Sequence, residues 1–404
     1  MSDWRNRETR DPIARKKARH LSPPARSRAM HAMSARAAQG RFVLQKCCDC
    51  GEITYPPRDA CPVCWGELTW QDVPAGALVL SETTIRVSTD LYFRDHLPWR
   101  MGKVALDAGP VALAHLHRDL ATHDRAEIRL MLDRGGNAAL FAVPPNGDFD
   151  MADPQFREFT VPLKGKTVLV TDARSAIGQA VVTALHKAGA GLIIAGIQAP
   201  GRQSDTQLAA LQLDNVQSMP LDIVDQVSLA EALSKIAGPL DLVINTARHV
   251  RAGGVSIGSN PVEMRRAFEI SAIGMARLAG ACAPMLAGRP HGAFVDIISS
   301  QALSGAADQS ALSAAEAARL SLLQSFRHEM RSSGVRVLSV FVGPVDDEDH
   351  QTMPPPKVAP ARIAATIVDA LQQGREQSCV GDVASDAMAR WLDDPMLYAR
   401  EKNL

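Results

Sequence analysis

Two rhythms of apolar and polar positions divide the chain near Lys164. Beyond that point, short apolar runs rich in β-branched residues alternate with longer stretches of helical periodicity. The runs Thr167–Thr171, Gly191–Gly196, Asp241–Ile244, Ala293–Ile298 and Val335–Val342 read as buried strands. Helices are expected near 177–188, 228–236, 262–286, 311–333 and 360–373. Strand–helix alternation of this kind predicts an α/β doubly wound, Rossmann-type parallel sheet over residues 164–404. Ahead of it, residues 73–145 hold only short strands: Ala77–Val87, Lys103–Asp107, Val111–Leu116, Glu127–Leu132 and Ala138–Val143. Gly109-Pro110 and Gly135-Gly136 punctuate them, as in a small all-β barrel. Residues 146–163 read as a linker, and 1–41 as a basic N-terminal arm, helical in part over Ser27–Arg41.

Composition narrows the function classes. Of 404 residues, 46% are apolar and 22% charged, as in an ordinary globular protein of several domains. Lys plus Arg equals Asp plus Glu at 44 each, so no net field favours nucleic acid or a membrane surface. The basic arm carries 11 Lys and Arg against 3 acidic residues, yet no apolar segment follows it as in a secretory signal. The expectation is a cytoplasmic protein with no membrane span and no nucleic-acid partner.

Five of the seven cysteines fall within residues 47–64. Cys47-x2-Cys50 and Cys61-x2-Cys64 are two knuckles, and two knuckles place four thiolates around one Zn²⁺. Gly51 and Pro62 suit the tight turns. Four cysteine ligands leave no open coordination position, so residues 42–72 should be a structural zinc ribbon.

The stretch from Gly40-Arg-Phe-x-Leu-Gln-x-Cys through Pro56-Pro57-Arg58 and Cys61-Pro62, followed by short strands, resembles a known family. It is similar to the zinc-ribbon plus OB-fold proteins that accompany thiolases and thiolase-like aldolases. Pro98-Trp99-Arg100-Met101-Gly102 agrees loosely with the same pattern. The resemblance implies an OB-fold barrel over 73–145, acyl-CoA binding and a thiolase or thiolase-like aldolase subunit as partner. A barrel of this kind also holds single-stranded nucleic acid in other settings, with Tyr92, Phe93 and Trp99 as the candidate stacking groups here.

Residues 164–404 resemble the short-chain dehydrogenase/reductase family, beginning with Lys164-Gly165-Lys166-Thr-Val-Leu-Val-Thr171. The resemblance implies NAD(P) held by Thr171, Arg174, Ile177, Gly178, Asp222, Asn245 and Ala247. Only the last of the family's three glycines survives in Thr171-Asp-Ala-Arg-Ser-Ala-Ile-Gly178, and Arg248 stands where glycine leaves room. The family's catalytic set is Asn, Ser, Tyr and Lys. Ser300 is retained, while Ser271 replaces the asparagine, Leu312 the tyrosine and Glu316 the lysine. A leucine exchanges no proton, and a glutamate reverses the charge that lowers a tyrosine's pKa. His249, His291 and Glu316 are the remaining candidates for an improvised acid or base.

These residues lead to a pseudoenzyme. The expected function is a non-catalytic accessory or scaffold subunit of an acyl-CoA thiolase or thiolase-like aldolase in lipid metabolism. It would assemble as a homo- or hetero-oligomer through the dehydrogenase-like domain. The alternative is an NAD(P)-dependent oxidoreductase acting on a hydroxyacyl- or ketoacyl-CoA with an atypical active site.

Overall fold

The computed structural model describes residues 20–24, 27–147, 149–198, 209–256, 258 and 260–402. The first part of the basic arm lies outside them. Helix α1 (Arg28–Ala37) begins at the Ser27 cap, whose hydroxyl accepts the Met30 amide. Its Met33 and Ala37 enter the core of the β domain, so this part of the arm is packed rather than solvated. A three-stranded antiparallel sheet follows, order β2–β1–β3, from β1 (Val43–Cys47), β2 (Ile53–Thr54) and β3 (Leu68–Asp72).

Strands β4 (Gly76–Ile85), β5 (Trp99–Leu106), β6 (Val111–Leu116), β7 (Arg125–Leu132) and β8 (Ala138–Val143) close a barrel in the order β4–β5–β6–β8–β7. Within it β6 and β8 pair in parallel, and the other neighbours are antiparallel. Helix α2 (Leu91–Asp95) lies between β4 and β5. Tyr92 and Trp99 are buried and pack edge-on with Phe93, ring centroids 5.2 and 5.7 Å apart. Two of the three stacking candidates are therefore spent inside the protein.

The segment 146–163 is no slack tether. Its short helix α3 (Pro154–Arg157) and the residues after it bury Phe156 and Phe159 against Trp99 and Phe141. Val161 and Leu163 then join the core of the next domain.

That domain is a seven-stranded parallel sheet in the order β11–β10–β9–β12–β13–β14–β15. Its strands are β9 (Thr167–Val170), β10 (Leu192–Ile197), β11 (Val216–Pro220), β12 (Leu242–Asn245), β13 (Ala293–Ser299), β14 (Arg336–Val342) and β15 (Gln377–Val380). The helices are α4 (Ala176–Lys187), α5 (Gln226–Ser234), α6 (Pro261–Ala267), α7 (Met275–Ala287), α8 (Ser310–Arg331), α9 (Pro360–Gln372), α10 (Asp382–Asp393) and α11 (Pro395–Glu401). Strand alternation sends Val168, Val170, Val295 and Ile297 to the α4/α9 face. Leu169, Phe294 and Ile298 go to the α7/α8 face. The sequence missed β11, β15, α10 and α11. The expected helix 262–286 is α6 and α7 joined by a π-helical turn, Phe268–Gly274.

The stretch Pro261–Ala287 is long and apolar enough to cross a bilayer. Here Met275, Leu278, Cys282 and Leu286 pack into the α7/α8 core instead.

Buried arginines clasp the barrel to the sheet. Arg336, at the start of β14, donates to the carbonyls of Leu132, Phe159 and Gly374. Arg134 reaches the Arg157 and Thr160 carbonyls and contacts His291. The Ala38 carbonyl, just past α1, accepts the Glu376 and Gln377 amides. Arg336→Met keeps the stem but orphans three buried carbonyls, each costing about 1–3 kcal/mol when unsatisfied. Urea unfolding should show a loss of at least about 2 kcal/mol.

Candidate functional site

The ribbon brings its four cysteines together. Cys47 and Cys64 Sγ atoms lie 3.4 Å apart, Cys50 and Cys61 Sγ atoms 3.6 Å apart, and all four lie within 4.8 Å of one another. A tetrahedral zinc with Zn–S near 2.3 Å requires sulfurs about 3.8 Å apart, so the donor set fits Zn²⁺. The Cys50 amide points at the Cys47 sulfur and the Val63 amide at Cys61, at 3.5 and 3.4 Å. Gly51 takes φ +76°, the left-handed turn that closes the first knuckle. Cys48 stays outside the cluster, its thiol 3.8 Å from Thr69 Oγ1.

The second site lies at the C-terminal ends of the parallel strands, where the order reverses between β9 and β12. Gly178 lets α4 sit on the β9 turn, since a Cβ there would lie 1.9 Å from the Asp172 carbonyl oxygen. Ile177, beside it, is core. Arg174 is half-buried on the turn and its carbonyl accepts Gln179 Nε2. Asp222 accepts Gln198 Nε2 and the Val224 amide at the end of β11. Asp172, which replaces a glycine, is half-buried, and burial pushes its carboxyl pKa up.

Several of the remaining sequence candidates form one buried polar chain across the sheet. Thr171 Oγ1 donates to Asn245 Oδ1 at 2.8 Å, and Asn245 Nδ2 donates to Asp296 Oδ1 at 2.8 Å. Arg319 Nε donates to Asp296 Oδ2 at 2.7 Å, and its Nη2 reaches Oδ1 of the same carboxylate. Arg319 Nη1 reaches Glu316 Oε1 at 3.4 Å and the Ala247 carbonyl at 3.2 Å. Glu316 Oε2 accepts the Ser299 amide at 2.7 Å. Asp296, Glu316 and Arg319 are all essentially inaccessible to solvent. Burial alone would lower the Arg319 pKa, but Asp296 and Glu316 hold it above the ordinary value.

Glu316 is therefore a locked partner of Arg319 and cannot serve as an improvised base. His249 is held by Glu263 at 2.7 Å. His291 precedes β13, at the strand end opposite the cleft, and contacts Arg134 at the barrel clasp. Ser271 is buried in the π-helical turn, its hydroxyl without a partner among the described residues. Arg248 is partly exposed; burial lowers its pKa, while Glu316 and Asp347 oppose that shift.

Ser300 does reach a cavity, in the 3₁₀ turn after β13. The cavity holds about 400 Å³ between Ser300, Leu312 and the Gly343-Pro344 turn on one side and α10 and α11 on the other. Leu312 presents an apolar wall where the family has its tyrosine. Tyr398 and Lys402 come from the far wall. The sequence reading missed both, because they follow the last strand.

Residues 34–69 match the ChsH2, rubredoxin-like zinc ribbon domain, and residues 166–355 match the short chain dehydrogenase family. An uncharacterized oxidoreductase of Staphylococcus aureus (strain USA300) is 30% identical over 220 residues, 52% of this chain and 93% of the relative. The chain belongs to the short-chain dehydrogenase family. Its N-terminal region adds a zinc ribbon. An uncharacterized oxidoreductase of Myxococcus xanthus (strain DK1622) is 30% identical over 45% of this chain and 73% of its own. The solved short-chain dehydrogenase of Burkholderia cenocepacia J2315 in complex with NADP aligns with TM-score 0.55 and 26% identity, covering 59% of this chain and 98% of that one.

In a short-chain dehydrogenase a nicotinamide dinucleotide supplies or accepts the hydride. Gly178, Gly196 and Asp222 would border its adenosine side: a Cβ at Gly178 would lie 1.9 Å from the Asp172 carbonyl oxygen and one at Gly196 2.5 Å from the Leu221 side chain, so the backbone is close-packed there. At position 316, where the resemblance leads one to expect a lysine toward the ribose, Glu316 turns inward.

Two outcomes test these sites. Cys61→Ser should reduce zinc, measured by plasma emission, from one equivalent to well below half. Arg319→Met should cost about 3–5 kcal/mol by leaving two buried carboxylates unpaired. Burial already holds the Asp296 carboxyl above the usual carboxylate range. The folded variant then binds that proton more tightly than the unfolded chain, so its stability should fall as pH rises above the ordinary carboxylate pKa near 4. Denaturation midpoints between pH 4 and 7 check the sign.

Proposed function

We propose that this short-chain dehydrogenase is an acyl-CoA-associated accessory subunit whose ordinary proton-transfer centre is dismantled. The observation that carries this is Glu316, bound to the Ser299 amide and Arg319 inside the protein, with Leu312 lining the cavity. No group at these two positions can exchange a proton with a ligand in the cavity.

The N-terminal half supplies the rest of the reading. The barrel order β4–β5–β6–β8–β7, with its third and fifth strands parallel, agrees with an OB-fold. A cavity of about 460 Å³ between ribbon and barrel, with Tyr55 and Arg58 on its wall, offers a place for a CoA ester. A thiolase or thiolase-like aldolase is the partner this architecture suggests, with the dehydrogenase-like domain serving assembly.

A second reading has its own observation. The adenosine side of the cleft is kept, and the cavity beside Ser300 is open and lined by a tyrosine and a lysine. Those features favour an NAD(P)-dependent oxidoreductase acting on a hydroxyacyl- or ketoacyl-CoA through an atypical site.

Affinity purification of the full-length chain at native level separates the two. The accessory reading expects a thiolase-type enzyme in near-stoichiometric amount and no NADPH oxidation with acetoacetyl-CoA. A chain that emerges alone and oxidises NADPH sinks it.

A further inference from the structure

Tyr398, on α11, and Lys402, its C-cap residue, repeat the Tyr-x-x-x-Lys spacing that positions 312 and 316 lack. One helical turn apart, they fall on one face. Both line the cavity that Ser300 and Leu312 line from the other side. Three features hold them there. Gly343 permits α10 to pack on the Val342-Gly343-Pro344 turn, its would-be Cβ lying 2.9 Å from Val383. Asp394 caps α11 by accepting the Met396 and Leu397 amides. Arg390 ion-pairs with Glu401 and stacks over the Tyr398 ring, 5.4 Å from its centroid.

The pair is also available for chemistry. Neither the Tyr398 nor the Ser300 hydroxyl has a hydrogen-bond partner among the described residues, although both residues are buried to within a few per cent. Lys402 Nζ lies 5.7 Å from the Tyr398 ring centroid and 3.5 Å from the Ser304 carbonyl, which ties α11 to the Ser300 turn. Leu312, Met353, Val383 and Ala387 supply apolar wall. The lining is mixed, since Gln301, Gln309 and His350 also border the cavity; two hydroxyls and an amine beside an apolar strip suit a short acyl group carrying a carbonyl or hydroxyl oxygen.

We propose that Tyr398 and Lys402 form a relocated acid/base pair that exchanges a proton with the oxygen of a β-keto- or β-hydroxyacyl thioester held by Ser300. In one direction the Tyr398 O–H bond breaks and a new O–H bond forms on the ligand oxygen as that oxygen gains negative charge. The phenolate left behind regains its proton from solvent; burial holds the Tyr398 pKa above the ordinary phenol value, with Arg390 opposing, and the Lys402 ammonium lies over the ring. The reverse direction removes the hydroxyl proton. The inference rests on the second reading above, in which a nicotinamide dinucleotide supplies or accepts the hydride.

Burial lowers the Lys402 pKa to about 8, with Asp308 opposing. The other charged groups around the cavity are paired: Arg390 with Glu401 and Asp386, and His350 with Asp347. The ammonium is therefore present below about pH 8 and fades above it.

The experiment uses the zinc-loaded full chain, NADPH and acetoacetyl-CoA. Fluorescence titration of NADPH tests the reading, and turnover tests the pair. Tyr398→Phe keeps the ring that packs against Arg390 and should lower kcat by about 10²–10⁴-fold while NADPH affinity stays within twofold. Lys402→Met should lower kcat less and remove an ionisation near pH 8 from the profile. Independently of activity, acetic anhydride labelling of Lys402, read by mass spectrometry, should be half-maximal near pH 8 and blocked by acetoacetyl-CoA. NADPH binding with Tyr398→Phe as active as the unsubstituted chain overturns the inference and leaves the reading standing. NADPH binding with no turnover by the unsubstituted chain also overturns it. Absence of NADPH and NADH binding overturns the reading, and the inference with it.

Discussion

Arg319 is enclosed completely, and two carboxylates are enclosed with it. That constraint shapes the whole dehydrogenase centre of this chain. A guanidinium is a planar fork, and it takes the Asp296 carboxylate through two nitrogens while a third contact goes to Glu316. Asp296 ties the network through Asn245 to Thr171, so β13, β12 and the β9 turn share one chain of polar contacts. The positive charge that the family keeps at position 316 stands one turn further along α8, and it faces into the sheet rather than the cleft.

The network gives a physical meaning to the altered positions. Glu316 could not project into the cavity without abandoning both the Ser299 amide and Arg319, leaving buried groups unpaired. Arg248 lies in the field of Glu316, which opposes the lowering of its pKa by burial. At the strand ends, close packing is kept at Gly178 and Gly196. The cavity beside Ser300 survives because α10 and α11 supply its outer wall.

The ribbon and barrel are not a loosely tethered appendage. Arg336 and Arg134 spend their donors on carbonyls of the barrel and connecting segment, and Phe156 and Phe159 fill the joint. The cavity between ribbon and barrel and the cavity beside Ser300 thus belong to one framework.

Local chemistry made much of this legible. The Cys-x2-Cys knuckles announce a tetrahedral site because four thiolates at that spacing have few other uses. Apolar runs alternating with helical periodicity announce the parallel sheet because each strand must be buried on both faces. Leu312 and Glu316 were readable as departures from the pattern of the resembled family. What sequence order could not supply was direction. That Glu316 turns inward depends on Arg319 and Asp296 meeting across two elements, and that 146–163 is packed depends on aromatic rings from β5 and β8. Tyr398 and Lys402 carry a visible spacing but lie beyond the last strand, where no pattern says which wall they form. Only the fold of α10 and α11 back over the Gly343 turn decided that, because packing between distant segments is set by shape and burial rather than by position in the chain.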